Sequence, residues 1–357
     1  MSRGCKKRTE TIVDNSIKSE KLTSFENSLI DTMIFETVSV IPLETDDESL
    51  FRDMDIISIT NDRIYIFDNR LEKICIFDNN GKYINKIHSI GPGPEEYIAI
   101  IDFCVDEKNK EIIVLCDRPY KLMRFSLDGD FIRQTTYSEF YKEISIESNS
   151  LFCLLSDKIE YEIGCFNQEF QLTHMWLAAK NDFNKDCYNR GYSLVKSKHL
   201  NYTRRFDPSL YQISTSGIEK KYEFDLGKYT PPGRVLEEED CRKLSQMCRE
   251  GQYIYSMTNA VESDKHILFS TNIGICLYEK ETNKLTGYKM LYCLDLNAGR
   301  SIYYPNEGDG NSIITYMEAS SLGSYKEETI KNNPIINNLV KNVKPDDNPI
   351  LFVHRFR

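Results

Sequence analysis

Short apolar runs broken by Asn, Asp and Gly set the texture of the chain from Ile34 onward. Ile64-Tyr65-Ile66-Phe67-Asp68 reads as one strand, and Lys73-Ile74-Cys75-Ile76-Phe77-Asp78 as the next. Asn79-Asn80-Gly81 tolerates the positive φ of a hairpin, and Tyr83-Ile84-Asn85-Lys86-Ile87 returns as a third strand. The same grammar recurs in Ile112–Asp117, Lys121–Phe125, Leu127-Asp128-Gly129 and Phe131-Ile132-Arg133. Gly81 and Gly129 are 48 positions apart (129 − 81), as are Lys73 and Lys121, and Phe77 and Phe125. Four short strands at a period in the high forties predict the blades of a β-propeller.

With strands lettered a to d outward from the axis, the rest of the chain can be divided in the same way. The inner strand lies near Asp55–Ile59 in blade 1 and near Ile100–Val105 in blade 2. Blade 3 takes Glu143–Glu147, Leu151–Ser156, Tyr161–Phe166 and Glu169–Leu177. Blade 4 takes Tyr192–Lys196, Leu200–Arg205, Leu210–Ser214 and Ile218–Leu226. Blade 5 takes Ile254–Asn259, His266–Thr271, Gly274–Glu279 and Leu285–Leu294. Blade 6 has Ser301–Tyr304, Ser312–Glu318 and Ile350–Phe356, and Ile34–Ile41 supplies its missing outer strand. That closure joins the two chain ends and leaves no long sheet edge. The expected fold is therefore all-β, a six-bladed propeller over residues 34–357, preceded by a polar tether or disordered leader over residues 1–33. Two helical insertions interrupt it. Leu236–Glu250 ends at Gly251, a C′ residue, and Tyr325–Val343 is split by Pro334 into a short helix and a longer one.

In such a blade the a–b and c–d turns share one rim, and the b–c and d–a connections share the other. The tight turns fall on the first rim. The long excursions at 178–191, 227–252 and 319–349 fall on the second, the expected place for function. Arg70, Glu96, Tyr97, Arg118 and Tyr120 stand on that rim in blades 1 and 2 and are the candidate ligand-binding residues. The plainer alternative for Gly91-Pro92-Gly93-Pro94-Glu95-Glu96-Tyr97 is a stiff blade connector with Tyr97 packed between blades.

Composition narrows the function without fixing it. A net charge of −10 and a pI near 5.2 argue against nonspecific nucleic-acid binding, which needs clustered Lys and Arg. No run reaches the roughly 18 apolar residues of a membrane span. The 11 cysteines form no CxxC pair. Cys75, Cys104, Cys116, Cys153 and Cys165 sit in apolar runs and read as buried thiols. Cys241 and Cys248 share a helix face about 10 Å apart, too far for a disulfide. The five histidines, His88, His174, His199, His266 and His354, show no metal-ligand spacing. Asn306-Glu307-Gly308-Asp309-Gly310-Asn311 lacks the closing Glu of an EF-hand loop and reads as a turn. No catalytic residue, metal or cofactor is indicated.

Ile64–Asp68, Phe77-Asp78-Asn79-Asn80-Gly81-Lys82-Tyr83, Gly91–Tyr97 and the terminal Asn348-Pro349-Ile350-Leu351-Phe352 resemble the six-bladed propeller lipoproteins of gut-type Gram-negative bacteria, related in shape to NHL propellers. Pro92 and Glu95 depart from that family's usual Gly-x-Gly-Pro-Gly-Glu-Tyr turn. The resemblance implies a cell-envelope location and makes Cys5, preceded by Gly4, the candidate lipidation site, although no apolar signal segment precedes it. Lys6-Lys7-Arg8 is unlike acidic surface-export signals and points to the periplasmic face. The expected function is a monomeric, non-enzymatic binding or scaffold propeller for a protein, glycan or small-molecule partner. It would touch a membrane only through a lipid anchor. The alternative is a metal-assisted hydrolase or lyase with channel carboxylates.

Overall fold

The structure is a computed structural model and describes residues 12–155, 161–178, 191–296, 298–300 and 303–357. Its strands form six sheets, one per blade, arranged as the repeat predicts. Blade 1 is Ile56–Ile59, Arg63–Asp68, Lys73–Asp78 and Tyr83–Ile87. Blade 2 is Ala99–Asp106, Glu111–Asp117, Lys121–Ser126 and Phe131–Thr136. Blade 3 is Tyr141–Glu147, Ser150–Leu155, Tyr161–Phe166 and Leu172–Ala178. Blade 4 is Leu194–Lys196, Leu200–Arg204, Asp207–Ser214 and Gly217–Glu223, and blade 5 is Met257–Glu262, His266–Thr271, Gly274–Glu279 and Lys284–Cys293. Blade 6 is Tyr304–Asn306, Ser312–Met317 and Ile350–Phe356, closed by Phe35–Pro42 as its outer strand.

The middle strands explain the unbroken apolar runs. Each b and c strand is covered on both faces by neighbouring blades, so alternation disappears. Tyr65, Phe67, Ile74 and Ile76 of blade 1 pack with Phe103, Ile112, Val114 and Met123 of blade 2. Ile64, Ile66, Cys75 and Phe77 face the other way, onto Ile314, Leu351 and Val353 of blade 6. Each such side chain contributes about 1.5–3 kcal/mol on burial. Gly81 turns at φ +83°, where a Cβ would stand 2.2 Å from the Pro42 carbonyl oxygen, so that hairpin requires glycine. Cys75, Cys104, Cys116 and Cys165 are buried free thiols, and the side chain of Cys153 lies outside the described residues.

Three expectations need correction. Residues 13–30 do not form a tether. Val13–Lys18 pairs in parallel with Gly217–Glu223, and Phe25–Ile30 pairs in parallel with Lys284–Cys293. Leu22 and Leu29 are buried against those blades. Blades 4 and 5 thereby gain an extra outer strand. In blade 5 the inner strand runs three residues later than the alternation suggests, because Asn259 adopts φ 53° within an irregular register between Thr258 and Val261. The first helical insertion breaks into Gly233–Leu236 and Cys241–Gly251, with Asp240 accepting the Arg242 and Lys243 amides as its cap. Gly251 remains helical, and Gln252 at φ 54° makes the left-handed exit. The second insertion is Glu327–Asn332 followed by Pro334–Asn342, as expected. Its Ile336 and Leu339 join the core between blades 5 and 6.

Candidate functional site

Inner strands of a propeller line its axis, and here they carry acids. Asp102 lies in blade 2, Glu143 in blade 3, and Glu307 in the turn after the inner strand of blade 6. Each accepts backbone hydrogen bonds from another blade. Asp102 takes the Ile144 amide at 2.8 Å as well as that of its neighbour Phe103 at 2.8 Å. Glu143 Oε2 takes the Ser193 and Leu194 amides, both at 2.8 Å. Glu307 Oε1 reaches past blade 5 to the Lys196 amide of blade 4, at 2.9 Å. These bonds lock the ring from inside, while withdrawal from solvent disfavours charge on all three acids. Burial pushes the carboxyls of Glu143 and Glu307 up to about 7, and that of Asp102 well above the usual range.

A cavity of about 270 Å³ opens at the tight-turn end of the channel. Ser58, Thr60, Asp106, Ser148, Lys196 and Glu307 line it, from blades 1, 2, 3, 4 and 6. The Lys196 ammonium is ion-paired with Glu147. A second space of about 30 Å³ lies deeper and shares Ser58, Cys104 and Glu307 with the first. Two phenols in its wall reach across to blade 1. Tyr192 of blade 4 donates to the Asp55 carbonyl on the opposite blade at 2.8 Å, and Tyr304 donates to the Met54 carbonyl at 2.6 Å.

The five residues singled out from sequence are spread over the connections of blades 1 and 2, and none of them lines either channel space. Tyr97 is fully buried in the core between those blades, its hydroxyl donating to the carbonyls of Glu72 at 2.6 Å and Ile87 at 3.1 Å. Glu96 folds back to accept the Gly93 amide at 2.8 Å. Arg70 is exposed and paired with Asp53, and Arg118 lies 3.4 Å from Asp117. Tyr120 stacks on Tyr137 with ring centroids 5.6 Å apart. The plainer reading of the Gly91–Tyr97 turn therefore describes its structure. Of the long excursions, 179–190 lies outside the described residues, as does Cys5.

The channel carboxyls escaped the sequence reading because they come from three blades with no local spacing. One signal was available: Asp102 interrupts Ile100-Ile101-Asp102-Phe103-Cys104-Val105, an otherwise apolar inner strand. Glu307 lies in the segment Asn306–Asn311, where Asp309 binds the Asn311 amide and Ser312 hydroxyl as an ordinary turn. Among the described residues, no three His, Cys, Asp or Glu side chains converge as metal ligands.

Fold and channel define a closed six-bladed propeller with an acidic, polar axial cavity. The chain belongs to the family described as a domain of unknown function, DUF4934, whose model matches residues 12–355. That match takes in both N-terminal strands. No functionally curated protein matches the chain. Among solved structures it is similar to a Bacteroides fragilis protein whose name marks it as a candidate exported protein, with 18% identity over 97% of this chain and 100% of that one, at a TM-score of 0.74. It is also similar to a DUF4221 family member from Bacteroides vulgatus, with 12% identity over 90% and 97% of the two chains at a TM-score of 0.47. BamB from Moraxella catarrhalis matches with 11% identity over 70% and 66% at a TM-score of 0.41. Among the described residues no helix is long and apolar enough to cross a membrane.

Proposed function

We propose that this propeller is a non-enzymatic binding protein of the bacterial cell envelope that takes a small ligand into the tight-turn mouth of its channel. The observation that carries the reading is the cavity of about 270 Å³ walled by side chains of five blades. A concave polar space on a rigid scaffold is where a small ligand finds preformed partners. The long-loop rim, by contrast, spends its side chains on its own turns.

Location in the envelope is supported by the likeness to lipoprotein propellers in the sequence and by the name of the Bacteroides fragilis neighbour. Cys5 is the proposed anchor. Mass spectrometry of the native protein should find a lipidated cysteine at its amino terminus, and an unmodified chain continuing upstream of Cys5 would refute that.

The site is tested by plugging it. Ser58→Trp fills the mouth from a residue that lines both spaces. Native mass spectrometry against a panel of small amines, acids and polyols should show a one-to-one adduct with the parent protein that Ser58→Trp loses. An adduct that survives the plug places the site elsewhere.

A further inference from the structure

The two strands that precede the ring are held in different ways. Phe25–Ile30 is seated by its side chains. Leu29 is fully buried, and the Phe25 ring packs on Gly274 and Gly287 and meets Tyr229 edge-on, with centroids 5.1 Å apart. Val13–Lys18 has no such anchor. All of its residues but Ser16 are exposed, Val13 at 53% and Ile17 at 49%. Its pairing with Gly217–Glu223 is also interrupted. Val13 and Asp14 stand opposite Glu219 and Lys220, Ile17 and Lys18 stand opposite Tyr222 and Glu223, and the register shifts between the two pairs. There the Asp14 carboxylate accepts the Ser16 amide at 3.1 Å and the Ser16 hydroxyl at 2.7 Å, local bonds that compete with the ladder. A segment with few buried apolar contacts and exposed backbone hydrogen bonds sits at the low-stability end of a fold.

The loose stretch ends at Ser19. Its amide donates to the Glu223 carbonyl at 3.0 Å, its hydroxyl accepts the Asp225 amide at 2.9 Å, and Leu22 is buried three residues on. The strand beneath is firm. Gly217–Glu223 pairs along its other edge with Asp207–Ser214, and its Ile218 and Tyr222 are buried. Release of Val13–Lys18 therefore leaves an intact strand with one open edge, the surface that an extended peptide binds by adding a strand. We infer that the edge of Gly217–Glu223 is a docking site for an extended segment of a partner protein, and that Val13–Lys18 is a built-in occupant that gives way to it. The contacts of the occupant define what the edge takes. Glu219 accepts the Asn15 side-chain amide at 3.1 Å, and Glu223 faces the Lys18 ammonium at 3.3 Å. The partner segment runs parallel to Gly217–Glu223 and carries a hydrogen-bond donor followed three residues later by a cation. Lys221 and Lys220 reach the same two carboxylates from their own strand, so backbone pairing supplies most of the binding, and the donor and cation set its register.

Two measurements on the full chain test this. Hydrogen–deuterium exchange on the parent protein should find the amides of 13–18 exchanging at least tenfold faster than those of 25–30, and this result stands whether or not any variant folds. The probe for docking is a fluorescent peptide spanning Ile12–Ser19, followed by anisotropy. In the full chain, Asn15→Asp with Lys18→Glu sets acids against Glu219 and Glu223 and loosens the resident strand. The peptide should bind this double variant at least tenfold more tightly than the parent. A peptide carrying the same two changes should bind the variant at least tenfold more weakly than the unaltered peptide. The inference is overturned if 13–18 exchanges as slowly as 25–30, if the peptide binds parent and double variant equally, or if it binds neither at millimolar concentration.

Discussion

The two ends of the channel are built from the same six inner strands, yet they spend their polar groups differently. At the long-loop end, side chains and backbone satisfy one another. Tyr192 and Tyr304 cap carbonyls of blade 1, and Lys121 buries its ammonium under the Gly91–Tyr97 turn, donating to the carbonyls of Gly93, Pro94 and Glu96. At the tight-turn end, Asp106, Glu107 and Glu307 stand around open space, Glu307 accepting the Lys196 amide of blade 4. Loop length and open polar space thus point to opposite ends of the channel. Long connections cover the core and consume hydrogen bonds, whereas short turns leave the mouth uncovered.

Four substitutions would break or sharpen this contrast. Tyr192→Ala removes a phenol that reaches across to blade 1. It should cost about 3 kcal/mol in chemical denaturation, in the range for losing a large packed side chain. A loss under 1 kcal/mol would mean the long-loop end is not closed by packing. Glu307→Gln should act in the opposite direction. Its carboxyl is held at about 7 in the folded protein against 4.5 in the unfolded chain. The folded state thus binds this proton more tightly, so the contribution to stability is fully present below about 4.5 and lost as pH rises through about 7. At 1.36 kcal/mol per pKa unit, the variant should gain up to about 3 kcal/mol at pH 8 and nothing at pH 4. Urea midpoints at the two pH values decide it, and a variant less stable at pH 8 would contradict the burial of charge at Glu307.

Lys121→Met leaves its carbonyl acceptors without a donor and should cost about 2 kcal/mol, with faster amide exchange at Gly91 and Tyr97, whose amides close the turn. Arg70→Ala should cost less than about 0.5 kcal/mol, because its pair with Asp53 is exposed. A larger loss would show that the long-loop rim depends on its surface charges.

Much of the fold was legible because the repeat is physical. Lys73 and Lys121 recur at one spacing because each sends its ammonium to carbonyls of the connector that precedes its blade. Lys73 reaches Glu48 and Leu50. The strand His266–Thr271 was bounded correctly from its apolar core and polar ends. The N-terminal strands were not legible. Val13–Lys18 is an edge strand exposed almost throughout, so it carries no alternation to read. Its partners lie some two hundred residues away, where backbone pairing leaves no trace in side-chain pattern. The channel acids were hidden for a related reason: their association is a property of the ring, and no single blade encodes it.

The N-terminal strands also set an order of events. Val13 pairs with Glu219, Phe25 with Gly287, and Phe35 with Phe356. Among the described strands, the three made earliest are therefore the ones that wait longest for a neighbour. Closing loops of this length is slow, and the ring cannot shut until the final strand has arrived. A chain with this wiring stays open to threading until Ile350–Phe356 is delivered to Phe35–Pro42, and becomes a closed body only then.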